Sequence, residues 1–355
     1  MEKLDLSFYK GKKVLVTGHT GFKGSWLSLI LLMAGANVVG YSLEPPTNPS
    51  LYNILKLDKK MVSHIGDIRD YEHLKNVFDL EKPEIVFHLA AQPIVLTSYK
   101  EPRYTFEANV MGTVNLLECC RSSPFVKSVL NVTTDKVYHN PELASHGFRE
   151  DEPLDGDDPY SNSKSCSELV THSYKKSFFD IKGTPVSTAR AGNVIGGGDF
   201  ADNRIIPDAV RAIIGRKPVY LRHPNSVRPY QHVLEPLYVY LMLAAKQTED
   251  FSYCGYYNVG PDISDCVSSG ELIKLFASAY GPELSYEFGS SDGPHEANFL
   301  RLDCQKLKQT FSWKPQTHIE EALALVAEWT KVYLEGLDEA VLIETQREIS
   351  LFFDV

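Results

Sequence analysis

The sequence predicts a doubly wound α/β fold, a parallel β-sheet with helices on both faces, followed by a smaller C-terminal α/β lobe. Two observations carry most of this. Strand-like and helix-like segments alternate along the first half of the chain, and the strand-like runs are continuously apolar, as strands buried on both faces are. The first of these runs also ends in a glycine-spaced turn that leads straight into a helix-like segment.

Lys13–Thr17 (KVLVT) is the first strand, β-branched and closed by glycine. Phe22–Ala34 has helical apolar spacing. Asn37–Tyr41 reads as a second strand, Met61–Ile65 as a third ahead of Gly66-Asp67, Glu84–Ala90 as a fourth and Ser128–Thr133 as a fifth. Between them Tyr71–Phe78, Tyr104–Cys120 and Tyr160–Phe178 read as helices, and Pro185–Ala191 is a sixth strand. Beyond Gly196-Gly197-Gly198 the rhythm breaks. Helical signals recur at Ile206–Ile214, Glu235–Lys246, Ser268–Ala279, Ile319–Leu334 and Leu337–Val355, and strand signals at Val219–Arg222, Tyr256–Val259 and Leu284–Phe288. The expected division is 1–195 for the sheet domain and 196–355 mainly for the second lobe, with segments near 230–262 returning to the first domain.

The chain has 355 residues, too many for one small domain, and its 43% apolar content supplies a sizeable core. The net charge of 36 − 46 = −10 offers no general attraction for nucleic acid or an anionic membrane, so an anionic ligand needs local basic groups or helix N-termini. No apolar run approaches the ~18 residues of a membrane span. Met1-Glu2-Lys3-Leu4-Asp5 carries both signs of charge where a signal peptide would be apolar. The six cysteines, Cys119-Cys120 adjacent, have neither disulfide-framework nor zinc-ligand spacing. They read as reduced thiols of a cytoplasmic protein, with no metal site expected.

The turn after the first strand is Gly18-His19-Thr20-Gly21-Phe22-Lys23-Gly24. Glycine at this spacing lets backbone approach a pyrophosphate and lets the helix pack on the strand, with the helix N-terminus facing the phosphates. That is a Rossmann-like dinucleotide loop. His19 and Lys23 are polar insertions that touch either phosphate or solvent, and solvent is the favoured reading. The acid that grips an adenine ribose is expected at the end of the second strand, but Tyr41-Ser42-Leu43-Glu44-Pro45-Pro46 has none directly there, only Glu44 nearby. No arginine stands there for a 2′-phosphate, which favours NAD over NADP. Asp67 is the expected partner of the adenine, or else a turn-forming residue.

Asp158-Pro159-Tyr160 reads as a helix start, with Asp158 as cap and Pro159 at the first position. Tyr160 and Lys164 then share a face. A tyrosine of ordinary pKa, ~10, is a poor base at neutral pH, and an adjacent ammonium favours its phenolate. The pair is read as taking a proton from a hydroxyl while hydride leaves for the nicotinamide. Thr133-Thr134-Asp135-Lys136 closes the fifth strand, where ligands of open α/β sheets bind. Thr134 is placed for the same hydroxyl, and Asp135 and Lys136 add a carboxyl and an amine, which a reaction that eliminates water needs and a simple oxidation does not.

TGHTGFKG at 17–24, GDI at 66–68, HLAAQ at 88–92, NVMGTVNLLE at 109–118, TTDKVY at 133–138, YSNSK at 160–164 and RAGNVIGGGDF at 190–200 together resemble the extended short-chain dehydrogenase/reductase superfamily, over nearly the whole chain. Asp135-Lys136, RAGNVIGGGDF and RPYQHVLEPL at 228–237 are similar to its nucleotide-sugar 4,6-dehydratases, those acting on CDP-glucose above all. The dTDP-glucose enzymes carry Asp-Glu in place of Asp135-Lys136. The resemblance implies NAD held by Gly18, Thr20, Gly21, Phe22, Lys23, Gly24, Asp67, Ile68, Leu89, Ala90, Ala91, Tyr160 and Lys164. It implies a CDP-linked glucose held by Gln92, Asn193, Arg204, Arg228 and His295, and Thr134, Asp135, Lys136, Tyr160 and Lys164 as catalytic groups. Asp135 would protonate the departing 6-hydroxyl. Lys136 would take the C5 proton or stabilise the enolate, the first role requiring that it be desolvated or crowded by cations. The arginine that related dehydratases place before a Pro-Gly-His motif is missing from Asp292-Gly293-Pro294-His295, with Arg301 the nearest substitute. A homodimer through the helices at 104–120 and 160–178 is also implied. The alternatives at this point are a nucleotide-sugar 4-epimerase, another sugar-nucleotide dehydratase, and a non-catalytic NAD-sensing regulator.

Overall fold

The computed structural model describes residues 4–141, 146–221, 223–289, 300–353 and 355. Strands β1 (Lys13–Thr17), β2 (Asn37–Ser42), β3 (Val62–Ile65), β4 (Ile85–His88), β5 (Ser128–Val132) and β6 (Val186–Ala191) are joined by a seventh, Tyr256–Val259, in one parallel sheet. The order runs Tyr256–Val259, β6, β5, β4, β1, β2, β3. Chain direction across the sheet reverses between β1 and β4, and that switch point opens a crevice at the carboxyl ends of the strands.

The central strands are buried on both faces, β4, β5 and β6 at every residue. β3 departs from the sequence expectation of a buried strand. It lies at the sheet edge, where Val62 and Ile65 are exposed. Helix α1, Phe22–Met33, is buried continuously from Gly24 to Leu31, because it is covered on its outer side too. Trp26 Nε1 donates to the Gly197 carbonyl at 3.0 Å, tying α1 to the triple-glycine turn. Two helices read from sequence as regular contain a π turn. Glu107–Met111 sits between Pro102–Phe106 and Gly112–Ser122, and Lys175–Phe179 follows Pro159–Tyr174.

After β6 the chain crosses repeatedly between sheet and lobe. The Leu234–Glu249 helix packs on the sheet, with the Ala244 carbonyl accepting from Ser128 Oγ of β5 at 2.9 Å. The lobe has its own core, Ile206, Leu272, Phe276, Leu323 and Val326 among its members. It is stitched by two-residue pairs, Val194–Ile195 with Gln231–His232 and Val227–Arg228 with Val267–Ser268. Arg222, at the end of one expected strand, lies outside the described residues. Among the described residues no helix is long and apolar enough to cross a membrane.

Candidate active site

A cleft of about 1170 Å³ runs across the carboxyl ends of the strands and under the lobe. That exceeds the roughly 300–1,000 Å³ usual for one small ligand and has room for two. It is lined by the expected groups Gly18, Thr20, Gly21, Phe22, Lys23, Gly24, Asp67, Ile68, Leu89, Ala90, Ala91, Gln92, Thr134, Asp135, Lys136, Tyr160, Lys164, Asn193, Arg204 and Arg228. His295 lies outside the described residues.

The glycine loop fits a dinucleotide. A Cβ on Gly24 would stand 2.1 Å from the Gly18 carbonyl oxygen, and one on Gly18, whose φ is +77°, would stand 2.8 Å from Ala90 N. Only glycine lets the start of α1 close on β1 and present its free N–H groups to phosphate. Gly24→Ala is therefore expected to weaken NAD binding at least about tenfold, or roughly 1.4 kcal/mol, in a fluorescence titration.

Of the two insertions in this loop, His19 is not solvated, contrary to the sequence reading, and Lys23 is half-buried. His19 is fully buried; its ring lies where Gly40 leaves space and its Nε2 pairs with Ser63 Oγ at 2.7 Å. Burial lowers its pKa to about 4, so it is neutral. Lys23 turns into the cleft, where its Nζ donates to Tyr240 Oη at 3.4 Å. Burial first, and then Arg204 and Lys164, push it down to about 7, with Asp135 opposing. At the end of β2, Thr20 Oγ1 pairs with Ser42 Oγ and donates to the Leu43 carbonyl, both at 2.9 Å, and exposed Glu44 lines the same end of the cleft. Asp67 is engaged by Arg69, with Arg69 Nη2 2.6 Å from its Oδ2. His88 at the end of β4 bridges Thr17 and Thr113, and burial lowers it to about 3.

Asp158 caps the next helix by accepting from the backbone N–H groups of Tyr160 and Ser161. This sets Tyr160 and Lys164 on the cleft side. Here the electrostatics differ from the sequence expectation. The Tyr160 phenol is pushed up to about 12, by burial above all, with Asp135 adding to the rise; its hydrogen bond with Thr134 and the charge of Arg204 oppose it. The Lys164 ammonium donates instead to the Val132 carbonyl at 3.0 Å, and burial brings it down to about 8. The cation that faces Tyr160 is thus Arg204, held by Asp199 at 2.9 Å.

Asp135 is 1% exposed. Its Oδ1 accepts from Thr134 Oγ1 at 2.9 Å and from Lys136 Nζ at 3.5 Å, while its buried Oδ2 has no hydrogen-bond partner among the described residues. Such an oxygen is costly unless a ligand meets it. Lys136 also reaches Asn193 Oδ1 at 3.4 Å, so its neighbours are acceptors and its side chain is 28% exposed. Of the other substrate residues, Arg228 is buried and donates to its neighbour's carbonyl, Val227 O. Gln92 lines the cleft with its amide held by the protein, giving to Thr105 Oγ1 and accepting from Ile94 N. Arg301 is not among the lining residues. Asp199 was missed from sequence, although its spacing to Arg204 within GGGDFADNR was the signal available.

A glycine-loop dinucleotide cradle facing a Tyr–Lys pair, at the switch point of a parallel sheet, defines an oxidoreductase-type site of the doubly wound class. The chain belongs to the family described as GDP-mannose 4,6 dehydratase, whose model matches residues 15–326. It is 46% identical over 353 residues, 98% of each chain, to CDP-glucose 4,6-dehydratase of Salmonella typhimurium strain LT2. Among solved structures, UDP-glucose 4-epimerase of Thermus thermophilus, in complex with NAD, superposes with a TM-score of 0.76 at 26% identity, covering 90% of this chain and 99% of that one. The dTDP-glucose 4,6-dehydratase of Bacillus anthracis, also in complex with NAD, gives 0.75 at 22% identity, covering 93% and 100%, and shows the shared fold alone.

Proposed function

We propose that this chain is an NAD-dependent CDP-glucose 4,6-dehydratase, a hydro-lyase that forms CDP-4-keto-6-deoxyglucose and water. The observation that carries the reading is the buried Asp135, one oxygen of which has no hydrogen-bond partner among the described residues, beside Thr134 and Tyr160. A 4-epimerase has no water to eliminate and no need of that acid. The CDP and glucose parts rest on the likeness to the Salmonella enzyme.

When bound, NAD supplies a hydride acceptor for C4 and afterwards the hydride donor for C6. The protein's own groups do the rest. Tyr160 takes the proton of the 4-hydroxyl, with Thr134 holding that oxygen. The positive charge of Arg204 and the hydrogen bond with Thr134 favour the phenolate against the rise to about 12 that burial imposes. The resulting 4-ketone acidifies the C5 proton. Lys136 lines the cleft beside Asp135 and takes the C5 proton, its ammonium then holding the enolate oxygen until that proton is returned to C5. Asp135 gives a proton to the departing 6-hydroxyl. Asn193, Arg204 and Arg228 line the lobe side, where the sugar diphosphate is placed, arginine suiting phosphate by its paired donors.

In this reading 1–195 binds the dinucleotide and 196–355 mainly the sugar nucleotide. The product is a deoxysugar precursor for a surface polysaccharide such as O-antigen, made in the cytoplasm. Exposed Met111, Leu169 and Phe178 on the helices at 104–120 and 160–178 support a homodimer through that face. The test is to incubate the protein and NAD with CDP-, UDP- or dTDP-glucose and develop the 4-keto-6-deoxy sugar in alkali. The signal is expected with CDP-glucose; conversion of CDP-glucose to CDP-galactose without keto sugar would replace the reading by an epimerase.

A further inference from the structure

One turn beyond Lys164 on the same helix, Glu168 is 1% exposed and reaches across to both neighbouring strands. Its Oε1 accepts from Thr133 Oγ1 at 2.5 Å, at the end of β5. Its Oε2 accepts from Thr188 Oγ1 and from Arg190 Nη2 of β6, both at 2.9 Å. Arg190, 2% exposed, passes on to Tyr138 Oη at 2.8 Å, which donates to Asn258 Oδ1 of the seventh strand at 2.6 Å. The carboxylate therefore fixes the helix that carries Tyr160 and Lys164 against the strand end that carries Thr134 and Asp135, the two halves that must meet at one sugar.

Stability alone gives no account of it, since a buried ion pair is often no better than apolar packing of the same volume. Its surroundings give another. The charged and titratable groups that act on or feel Lys164 are Glu168 on its own helix, His88 from β4 and Lys23 from α1. Burial lowers the ammonium and Glu168 alone opposes that.

We infer that Glu168, clamped by Arg190, is a positioning residue of this site: it sets the Tyr160–Lys164 helix against the Thr134–Asp135 turn and supplies the negative charge that Lys164 faces. The inference rests on the site reading above and is tested so that the two fail separately. Glu168→Gln and Thr133→Val are compared with the parental enzyme for CDP-glucose turnover across pH, and for the pH at which Lys164 becomes half-reactive to acetic anhydride, read by peptide mass without substrate or cofactor. For Glu168→Gln, kcat is expected to fall about 10- to 100-fold with KM within about threefold, as for a displaced proton-transfer group. The basic limb of kcat and the Lys164 midpoint should both move down by about one pH unit, because the ammonium loses the charge one turn along its helix that opposes the effect of burial. A residue that served folding only would lower the thermal midpoint and leave both pH values in place. Thr133→Val keeps the charge and loosens the clamp, so kcat falls about threefold or more with the basic limb unmoved. A folded Glu168→Gln enzyme with parental kcat and Lys164 midpoint overturns the inference. If Glu168→Gln does not fold, Thr133→Val decides, and parental kcat there overturns it. Should the parental protein make no keto sugar, the dehydratase reading fails, and the Lys164 midpoint in Glu168→Gln still decides this one.

Discussion

Tyr160→Phe is expected to lower CDP-glucose turnover by about 10³-fold, within the roughly 10²- to 10⁴-fold range of a lost acid–base group. The substitution removes one oxygen. The Asp158 cap binds backbone N–H groups and Lys164 is anchored on the Val132 carbonyl, so neither depends on the phenol. The helix should therefore keep its place, the thermal midpoint should change little, and NAD affinity should stay within a few-fold. Measuring kcat beside NAD titration separates chemistry from binding. A loss of less than tenfold in kcat would mean that another group takes the 4-hydroxyl proton.

Asp135→Asn should divide the reaction. The acid lies apart from the oxidation step, so the 4-ketone should still form, while loss of the 6-hydroxyl slows by about 10²- to 10⁴-fold for want of a proton donor. The amide keeps the side chain's shape and its acceptor oxygen toward Thr134 and Lys136, which limits the structural cost. Quenching with borodeuteride would trap the accumulated 4-ketoglucose as glucose and galactose nucleotides labelled at C4. Unlabelled hexose and no keto sugar would mean instead that Asp135 is needed for oxidation itself.

What the chain discloses before folding is what depends on near neighbours. The Lys13–Thr17 strand, the glycine spacing and the Asp158-Pro159 helix start are local patterns, and each lies where its pattern places it. The Tyr160–Lys164 pair follows, because a capped helix fixes a four-residue spacing on one face. The burial of His19 and the position of Lys23 are not legible locally, because their surroundings come from far along the chain. Gly40 and Ser63 enclose the imidazole, and Tyr240 meets the ammonium. The charge partner of Tyr160 was misassigned for the same reason. Lys164 is adjacent by helical periodicity but bonds to β5, and Arg204 arrives from the lobe. The π turns at Glu107–Met111 and Lys175–Phe179 and the two-residue strand pairs of the lobe are too short to leave a period. Glu168 was open to detection, since it stands four residues after Lys164 on the buried face, but a lone Glu at that spacing reads as a solvated helix residue.

In the proposed cycle one enclosed site removes hydride from C4 and returns it to C6 of the same sugar while Asp135 expels the 6-hydroxyl. CDP-glucose deuterated at C4 tests this most directly. The predicted product is CDP-4-keto-6-deoxyglucose with the deuterium on C6. Deuterium retained at C4 in a mixture of CDP-glucose and CDP-galactose, with no deoxy sugar formed, would contradict it.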